Sequence, residues 1–167
     1  PEEAHRMLDI FVRAFILRNG FHANGDQSGK GYSGFTYRPF TLEGNFLVMN
    51  AIHEMLLQSW SPTPGEPNTE VLRVFPAVPN VWADVSFRDL RAEGGHRVSA
   101  SRAKGRLVSL EIIPGRTGVL PVKDTFGGMK LQWSVSGVTK RGDLYLVPIR
   151  KGRVVKCSPV RLEKQGV

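Results

Sequence analysis

Two segments with helical periodicity, separated by a long polar loop, occupy the first sixty residues. Between residues 3 and 18, apolar side chains such as Phe11 and Phe15 recur every three to four positions, and Asn19-Gly20 follows as a helix stop. A second helix is predicted over residues 45–60, where apolar residues cover most of the circumference. Such a helix needs packing partners on more than one side, so the pattern indicates a larger helical domain.

The start of the chain supports the same expectation. It opens directly on the first helical segment, with Pro1, Glu2 and Glu3 in front of it and no initial Met. We therefore expect that the chain is part of a longer protein, with a complete processed protein as the alternative.

Short alternating runs of apolar and polar residues replace the helical periodicity in the second part of the chain. The change follows SPTPGEPNTE (residues 61–70), which holds three prolines and one glycine. Ala103-Lys104-Gly105 and Lys151-Gly152 are turn sequences that would join neighbouring runs as hairpins, whereas residues 115–129 are predicted to form a loop. The runs predict seven strands: Val71–Phe75, Val85–Leu90, Arg97–Ser101, Leu107–Ile113, Leu131–Val135, Leu144–Ile149 and Arg153–Cys157.

These patterns together predict an α+β protein with two parts. Residues 1–68 are helical with a long loop, and residues 69–167 form a small antiparallel β-sandwich domain. Trp133 alternates with apolar neighbours along its strand, so we expect it in the core.

Composition and motifs exclude several classes of function. The chain is 41% hydrophobic and 23% charged, and it has no apolar run near the roughly 18 residues that a membrane span needs. The single cysteine, Cys157, excludes an internal disulfide framework. GDQSGKG (residues 25–31) lacks the spacing of a phosphate-binding loop, and Leu57 stands where a zinc-protease helix beginning at His53 needs its second His. We expect no metal, no cofactor and no membrane partner.

Basic charge is confined to the second half of the chain. Residues 1–68 carry five Lys/Arg and seven Asp/Glu, whereas residues 69–167 carry eighteen and eight. Such asymmetry can mark nucleic-acid binding. The basic residues are, however, spread along strands and turns without a dense block, so the pattern favours solvated strand faces and no nucleic-acid partner.

Glu43 stands where the polar loop enters the second predicted helix. Asn45 is expected to cap that helix, which places Glu43 just before its first turn, where the helix dipole favours a carboxylate. From the residues alone, a structural role and a ligand-binding role for Glu43 are both open.

Several short words of the sequence occur in an order that resembles a known family. FTLEGNF (residues 40–46) is followed by AIHEMLLQSW (51–60) and then by VLRVFPAVPNVWADVSFRDLRAEGGHRVSASRAKGRLVSLEI (71–112). This order resembles the C-terminal part of glycoside hydrolase family 95, the α-L-fucosidase-type enzymes, over roughly residues 19 to 115. Members carry their active site in an (α/α)6 barrel that precedes a C-terminal β domain.

The resemblance implies an architecture, a substrate class and a location. Residues 1–68 would supply the terminal helices and an active-site loop of the barrel, residues 69–167 would be the β domain, and the chain would pack on an upstream barrel. The family cleaves α-linked L-fucose, and in some members L- or D-galactose, with inversion. An oligosaccharide or polysaccharide substrate and an extracellular or periplasmic location are therefore expected.

The resemblance also implies roles for individual residues. An Asp in the family's acid-Gly-Asn-Phe turn polarises the Asn side chains that orient the attacking water, and it corresponds to Glu43, whose reach is about 1.5 Å longer. From their residue types, His22, Asn24 and Asn45 offer hydrogen-bonding groups suited to sugar hydroxyls and are expected to contact the sugar; the alternative is a structural loop that closes one end of the barrel. The family's general acid lies upstream, so this chain alone is expected to be inactive. The alternative is a noncatalytic carbohydrate-binding or scaffold module.

Overall fold

The computed structural model describes residues 1–160, and in this range the chain has two α-helices and ten β-strands. The predicted α+β class is confirmed. The chain divides into two compact units: Pro1–Met55 with Ala77–Pro79, and Leu56–Pro76 with residues 80–160. The boundary predicted between residues 68 and 69 lies within the second unit.

The first unit contains helix α1 (Glu2–Phe15), a loop over residues 16–41, and all but the last residue of helix α2 (Leu42–Leu56). Backbone hydrogen bonds hold the loop against the end of α1: Ala23 N donates to Phe15 O (2.7 Å) and Gln27 N donates to Ala14 O (2.7 Å). Ala14 and Ala23 are completely buried. The loop therefore has a defined backbone course despite its polar composition.

The bounds of both predicted helices need correction. Helix α1 ends at Phe15 because Ile16 pairs with His22 in an antiparallel bridge. Helix α2 begins at Leu42, so Asn45 lies inside its first turns and is not its N-cap. The helix ends at Leu56, because the next two residues leave the helix and pair with a strand.

Much of the apolar surface of α2 is exposed in the described part of the chain. Phe46, Leu47 and Met49 have 62%, 68% and 55% of their surface accessible, whereas in this helix only Gly44 and Met55 are buried. This exposure agrees with the apolar pattern of the sequence, which predicts packing on more than one side.

The second unit is built from antiparallel strands arranged in three sheets. A two-stranded sheet pairs β1 with β2, a five-stranded sheet has the order β3-β4-β5-β10-β7, and a three-stranded sheet has the order β6-β9-β8. The strands are β1 (Leu57–Gln58), β2 (Arg73–Val74), β3 (Val85–Ala92), β4 (His96–Ala103), β5 (Arg106–Ile113), β6 (Gly118–Lys123), β7 (Leu131–Trp133), β8 (Thr139–Arg141), β9 (Leu144–Ile149) and β10 (Val155–Pro159).

Alternate residues of the two larger sheets form the core of this unit. The buried side chains are Val98, Ala100, Leu110, Ile112, Val155 and Cys157 of the five-stranded sheet, and Leu120, Val122, Val147 and Ile149 of the three-stranded sheet. The half-buried Trp133 of β7 contacts Tyr145 of β9, with 5.7 Å between the ring centroids. The arrangement is consistent with a small β-sandwich.

Besides β1, which replaces the end of the helix predicted over residues 45–60, two strands lie where the sequence predicts none. Strand β6 falls in the predicted loop. Gly118 and Pro121 are residue types typical of turns, so the sequence pattern does not indicate a strand there. A proline is tolerated there because β6 is the edge strand of its sheet; on the side away from β9, Pro121 uses only its carbonyl oxygen, which accepts a hydrogen bond from Leu72 N (2.9 Å). Strand β8 is short, polar and exposed, so it has no alternation that a sequence pattern could detect.

One of the two predicted hairpins is confirmed and the other is wrong. Strands β4 and β5 pair across Lys104-Gly105, both with positive φ. Strands β9 and β10 do not pair with each other: β9 pairs with β6 and β8, and β10 with β5 and β7. The turn at Lys151-Gly152 therefore carries the chain from one sheet to the other.

Candidate functional site

Glu43 lies in the first turn of α2 with its side chain exposed. It forms no hydrogen bond or ion pair with another residue in the range 1–160 that the structure describes. A carboxylate at this position lies near the positive end of the helix dipole. The group is accessible and is not engaged in holding the fold of the described chain.

The residue after Glu43 is a glycine because a histidine ring occupies the space of its side chain. His22 is 9% exposed and stacks on Phe11, with 5.1 Å between ring centroids and 3° between planes. Its Nδ1 lies 2.6 Å from the hydroxyl of Thr41. A Cβ added at Gly44 would lie only 2.5 Å from the same Nδ1. Any side chain at position 44 would thus displace His22 from its stack.

Asn45 ties the start of α2 to the loop. Its Oδ1 accepts a hydrogen bond from His22 N (2.9 Å), and its Nδ2 donates to Gly20 O (2.7 Å). Both the oxygen and the nitrogen of the amide are engaged by the loop. Asn45 therefore connects the helix to the loop and does not cap the helix. The two residues that follow Glu43 are therefore held in place, Gly44 by the His22 ring and Asn45 by its hydrogen bonds to the loop.

The predicted sugar-contacting residues thus differ in their availability. His22 is buried and Asn45 is half-buried, and both organise the junction between loop and helix. Asn24 is exposed, with its Nδ2 3.4 Å from the hydroxyl of Tyr37. Among the predicted contacts, Asn24 has the side chain most accessible to a ligand.

Other polar residues of the loop hold its shape. Asp26, 4% exposed, accepts hydrogen bonds from Ser28 N (2.7 Å), Ser28 Oγ (2.6 Å) and Tyr32 N (2.8 Å). The hydrogen bonds from Ser28 lower the pKa of Asp26 below its ordinary value. Arg38 donates to Gln27 Oε1 at 2.6 Å. These contacts leave the rings of Tyr32, Phe35 and Tyr37 exposed at the surface.

A buried polar cluster in the second unit has no counterpart in the sequence motifs. Glu70 Oε1 accepts hydrogen bonds from His96 Nε2 (2.9 Å) and Arg116 Nε (2.7 Å). Gly115 N donates to His96 Nδ1 (3.1 Å), so Nδ1 is the acceptor and Nε2 carries the proton. His96 is completely buried and Glu70 is 3% exposed. Both nitrogens of the His96 ring and the Glu70 carboxylate are engaged, so this cluster has a structural role. We call Glu70, His96 and Arg116 the Glu70 clasp.

The cluster of Glu70, His96 and Arg116 should make the stability of the protein depend on pH in acid. Burial raises the pKa of Glu70, but the hydrogen bonds from Arg116 and His96 outweigh burial and hold that pKa below the ordinary 4.5. A carboxyl group with a lowered folded-state pKa stabilises the fold above its unfolded pKa, and this contribution disappears as the pH falls through the folded value. We expect the free energy of unfolding to fall below pH 4.5, and to fall less steeply in Glu70→Gln.

Urea unfolding at several pH values between about 6 and 3 measures this slope for both proteins. Equal slopes in the wild type and in Glu70→Gln would contradict the assignment.

An open depression of about 1050 Å³ covers the outer face of the five-stranded sheet. Six of its lining residues are serines, five are charged and two, Phe87 and Trp133, carry rings. The lining serines are Ser86, Ser99, Ser101, Ser109, Ser134 and Ser158. Two ion pairs cross this face, between Arg97 and Asp89 (3.8 Å) and between Lys156 and Glu111 (3.5 Å).

Residues 1–160 contain neither a cluster of potential metal ligands nor a cysteine with a reactive thiol. In that range no group of three or more His, Cys, Asp or Glu is placed to hold a metal ion. Burial raises the pKa of Cys157 to about 12, so the thiol stays protonated and unreactive near neutral pH. Neither helix of the described chain is long and apolar enough to cross a membrane.

Sequence comparison does not assign the chain to a family. No known protein family matches it, and no curated protein matches it significantly. The geometry of Glu43 and the surrounding loop is therefore the basis for a functional proposal.

Proposed function

We propose that this chain is the C-terminal part of an inverting glycoside hydrolase that acts on α-L-fucosides or related α-L- or α-D-galactosides. In this proposal Glu43 takes part in activating the attacking water, and a carboxylic acid elsewhere in the protein protonates the leaving group. The observation that carries the proposal is the exposed carboxylate of Glu43, which forms no hydrogen bond or ion pair within residues 1–160 and is followed by two residues that the loop holds in place.

Three other acids within residues 1–160 have evident structural partners. Asp26 is engaged by Ser28 and Tyr32, Glu70 by His96 and Arg116, and Asp124 by Lys140 at 2.5 Å. Glu43 differs from them because its neighbours are fixed while its carboxylate is free. A catalytic group needs this combination, since a misplacement near 1 Å can cost about a hundredfold in rate.

The exposed apolar surface of α2 supports the architectural side of the proposal. A helix with Phe46, Leu47 and Met49 exposed is suited to packing among other helices, as it would in an (α/α)6 barrel upstream of this chain. The exposed loop residues Asn24, Tyr32 and Tyr37 would then contribute hydrogen bonds and stacking surface to the sugar site. An extracellular or periplasmic location is part of the same proposal.

Removing the charge of Glu43 is expected to reduce hydrolysis strongly. In the full-length protein that contains this chain, Glu43→Gln should lower kcat/KM on an aryl α-L-fucoside by about a hundredfold, because an amide cannot help to withdraw a proton from water. Glu43→Asp keeps the charge and should retain more activity than Glu43→Gln. The rates are measured by release of the aryl group and by chromatography of fucosylated oligosaccharides.

Glu54→Gln is the matched control, because it removes an exposed acid from the same helix. It should leave kcat/KM within about twofold, since surface substitutions away from a site have small effects. Activity untouched by Glu43→Gln would reduce Glu43 to a helix-terminus acid and overturn its proposed role.

A second candidate function is noncatalytic glycan binding. The serine-lined depression of about 1050 Å³ favours it, because small hydroxyl groups can hydrogen-bond a polyhydroxylated chain. Absence of hydrolysis on every α-sugar tested, combined with retained glycan binding, would select this function over the first.

A further inference from the structure

A basic depression of about 630 Å³ lies where β9 and β10 meet the turn between them. Its charged lining residues are Arg150, Arg153 and Lys156, and no carboxylate lines it. The hydroxyl groups of Thr117, Ser134 and Ser136 complete its polar surface. Lys156 is also paired with Glu111 (3.5 Å), so two unpaired arginines and three hydroxyls define a surface that is suited to an oxyanion.

The turn that carries the two arginines is fixed by backbone hydrogen bonds. Arg153 N donates to Arg150 O at 2.9 Å, and Gly152 N donates to Pro114 O at 2.8 Å. Lys151 N donates to the hydroxyl of Thr117 at 3.1 Å. Gly152 has φ 72°, a conformation that other residues rarely adopt, which accounts for glycine at this position. The backbone positions from which the Arg150 and Arg153 side chains extend are therefore fixed before a ligand binds.

The charge of these arginines is not compensated within residues 1–160. Neither Arg150 nor Arg153 forms an ion pair with a carboxylate in that range, whereas Arg116 and Lys140 are paired with Glu70 and Asp124. Clustering cations without counter-ions costs electrostatic free energy, and binding an anion offsets this cost. Arginine is particularly suited to the task because its planar guanidinium can bind sulfate, phosphate or carboxylate oxygens in pairs.

The neighbouring surface indicates what kind of molecule carries the anion. Ser134 and Lys156 also line the larger depression over the five-stranded sheet, so the two depressions adjoin at these residues. A polymer lying across the serine-rich face would therefore reach the basic depression with a charged substituent. No aromatic residue lines the basic depression, so it offers no ring on which the bases of a nucleic acid could stack.

We propose that this basic depression binds the anionic substituents, sulfate esters or uronate carboxylates, of a polysaccharide that lies along the five-stranded sheet. The choice of a polysaccharide rests on the proposed glycoside hydrolase function, whereas the anion site rests on the geometry of the second unit. The site holds the polymer and takes no part in bond cleavage.

Calorimetric binding tests the proposal with four probes: a sulfated α-L-fucan, the same polymer after chemical desulfation, polygalacturonate, and single-stranded DNA. We expect the wild type to bind the sulfated fucan or polygalacturonate at least about tenfold more tightly than the desulfated fucan, with the affinity falling as salt is added. The better of the first and third probes identifies the substituent.

Two double variants of equal charge separate a defined site from general basicity. Arg150→Gln/Arg153→Gln removes the turn cations, whereas Arg91→Gln/Arg141→Gln removes two exposed arginines on β3 and β8 that line neither depression. The first should lose about tenfold or more in affinity for the anionic polymer, and the second no more than about threefold. All four substituted positions are exposed, and thermal unfolding verifies that both variants fold.

Three results would overturn the proposal. They are equal losses in the two double variants, equal affinity for sulfated and desulfated fucan together with none for polygalacturonate, and binding of DNA with the same dependence on Arg150 and Arg153. Selective binding in a protein that hydrolyses no α-sugar would instead leave the anion site standing and reject only the hydrolase function.

Discussion

Replacing Glu70 with alanine is expected to lower the free energy of unfolding by about 3–5 kcal/mol, because removal of one partner from a buried charged cluster leaves the others without compensation. The His96 Nε2 proton and the Arg116 Nε proton both lose their acceptor. Water cannot replace it fully, since His96 is completely buried and only 15% of the Arg116 side chain is accessible.

The reach of this clasp explains the size of the effect. Glu70 follows the proline-rich link, His96 opens β4, and Arg116 follows β5, so one carboxylate joins three segments of the second unit. Position 94 adds to the constraint: a Cβ there would lie 2.5 Å from Glu70 Oε1 and 2.7 Å from His96 Nε2. Glycine at this position is therefore required by the clasp as well as by its φ of 73°.

Chemical denaturation measures the Glu70→Ala effect, with Glu66→Ala as the control. Glu66 is an exposed acid in the same link, and its substitution should change stability by no more than about 0.5 kcal/mol. A loss below about 1 kcal/mol in Glu70→Ala would show that the cluster adds little to the fold.

The second large effect is expected at Gly44. Glycine to alanine inside a helix normally stabilises a protein by about 1 kcal/mol. Here we expect a loss of about 3 kcal/mol, because the new methyl group would overlap the His22 ring and break its stack on Phe11. The same displacement would shift Glu43, so under the proposed hydrolase function the activity should fall as well.

A double-mutant cycle with His22→Ala isolates this steric cause. Without the imidazole ring, Gly44→Ala should regain its usual sign and stabilise the helix. Gly34→Ala is the matched control, because an added Cβ there meets no atom within 4 Å. If Gly44→Ala stabilised the protein with His22 present, the ring would not be the reason for glycine at this position.

The existence of most elements could be predicted because it depends on local periodicity. Helices α1 and α2 and strands such as β5 and β9 follow the repeat of apolar residues along the chain. Their ends could not, because they depend on partners elsewhere. Helix α2 stops at Leu56 because Leu57 pairs with Val74, and no feature of residues 45–60 contains that information.

The candidate site shows the same division. The order of a polar loop, Glu43 and an apolar helix directs attention to this junction from the sequence alone. The reasons for Gly44 and Asn45 lie in His22 and Gly20, more than twenty residues earlier in the chain. Asn45 is a typical capping residue, so its tie to the loop could not be distinguished from a cap by residue type.

Clusters assembled from distant residues left no signal in the sequence. Glu70 and His96 are 26 positions apart and Glu70 and Arg116 are 46 apart, so no motif spacing marks them. The basic depression gathers residues from the end of β7, the β5–β6 link and the turn after β9. Along the chain these residues are dispersed, and this dispersal led to the expectation of solvated strand faces.

The α+β class, the change from helices to strands and the position of Glu43 at a helix entrance are encoded in neighbouring residues, because side-chain periodicity and helix polarity act over a few positions. Sheet order, the crossing of the β9–β10 turn, the Glu70 clasp and the clustering of Arg150 with Lys156 depend on contacts between distant segments. Burial and hydrogen bonding across those segments select one pairing among several that the local pattern allows.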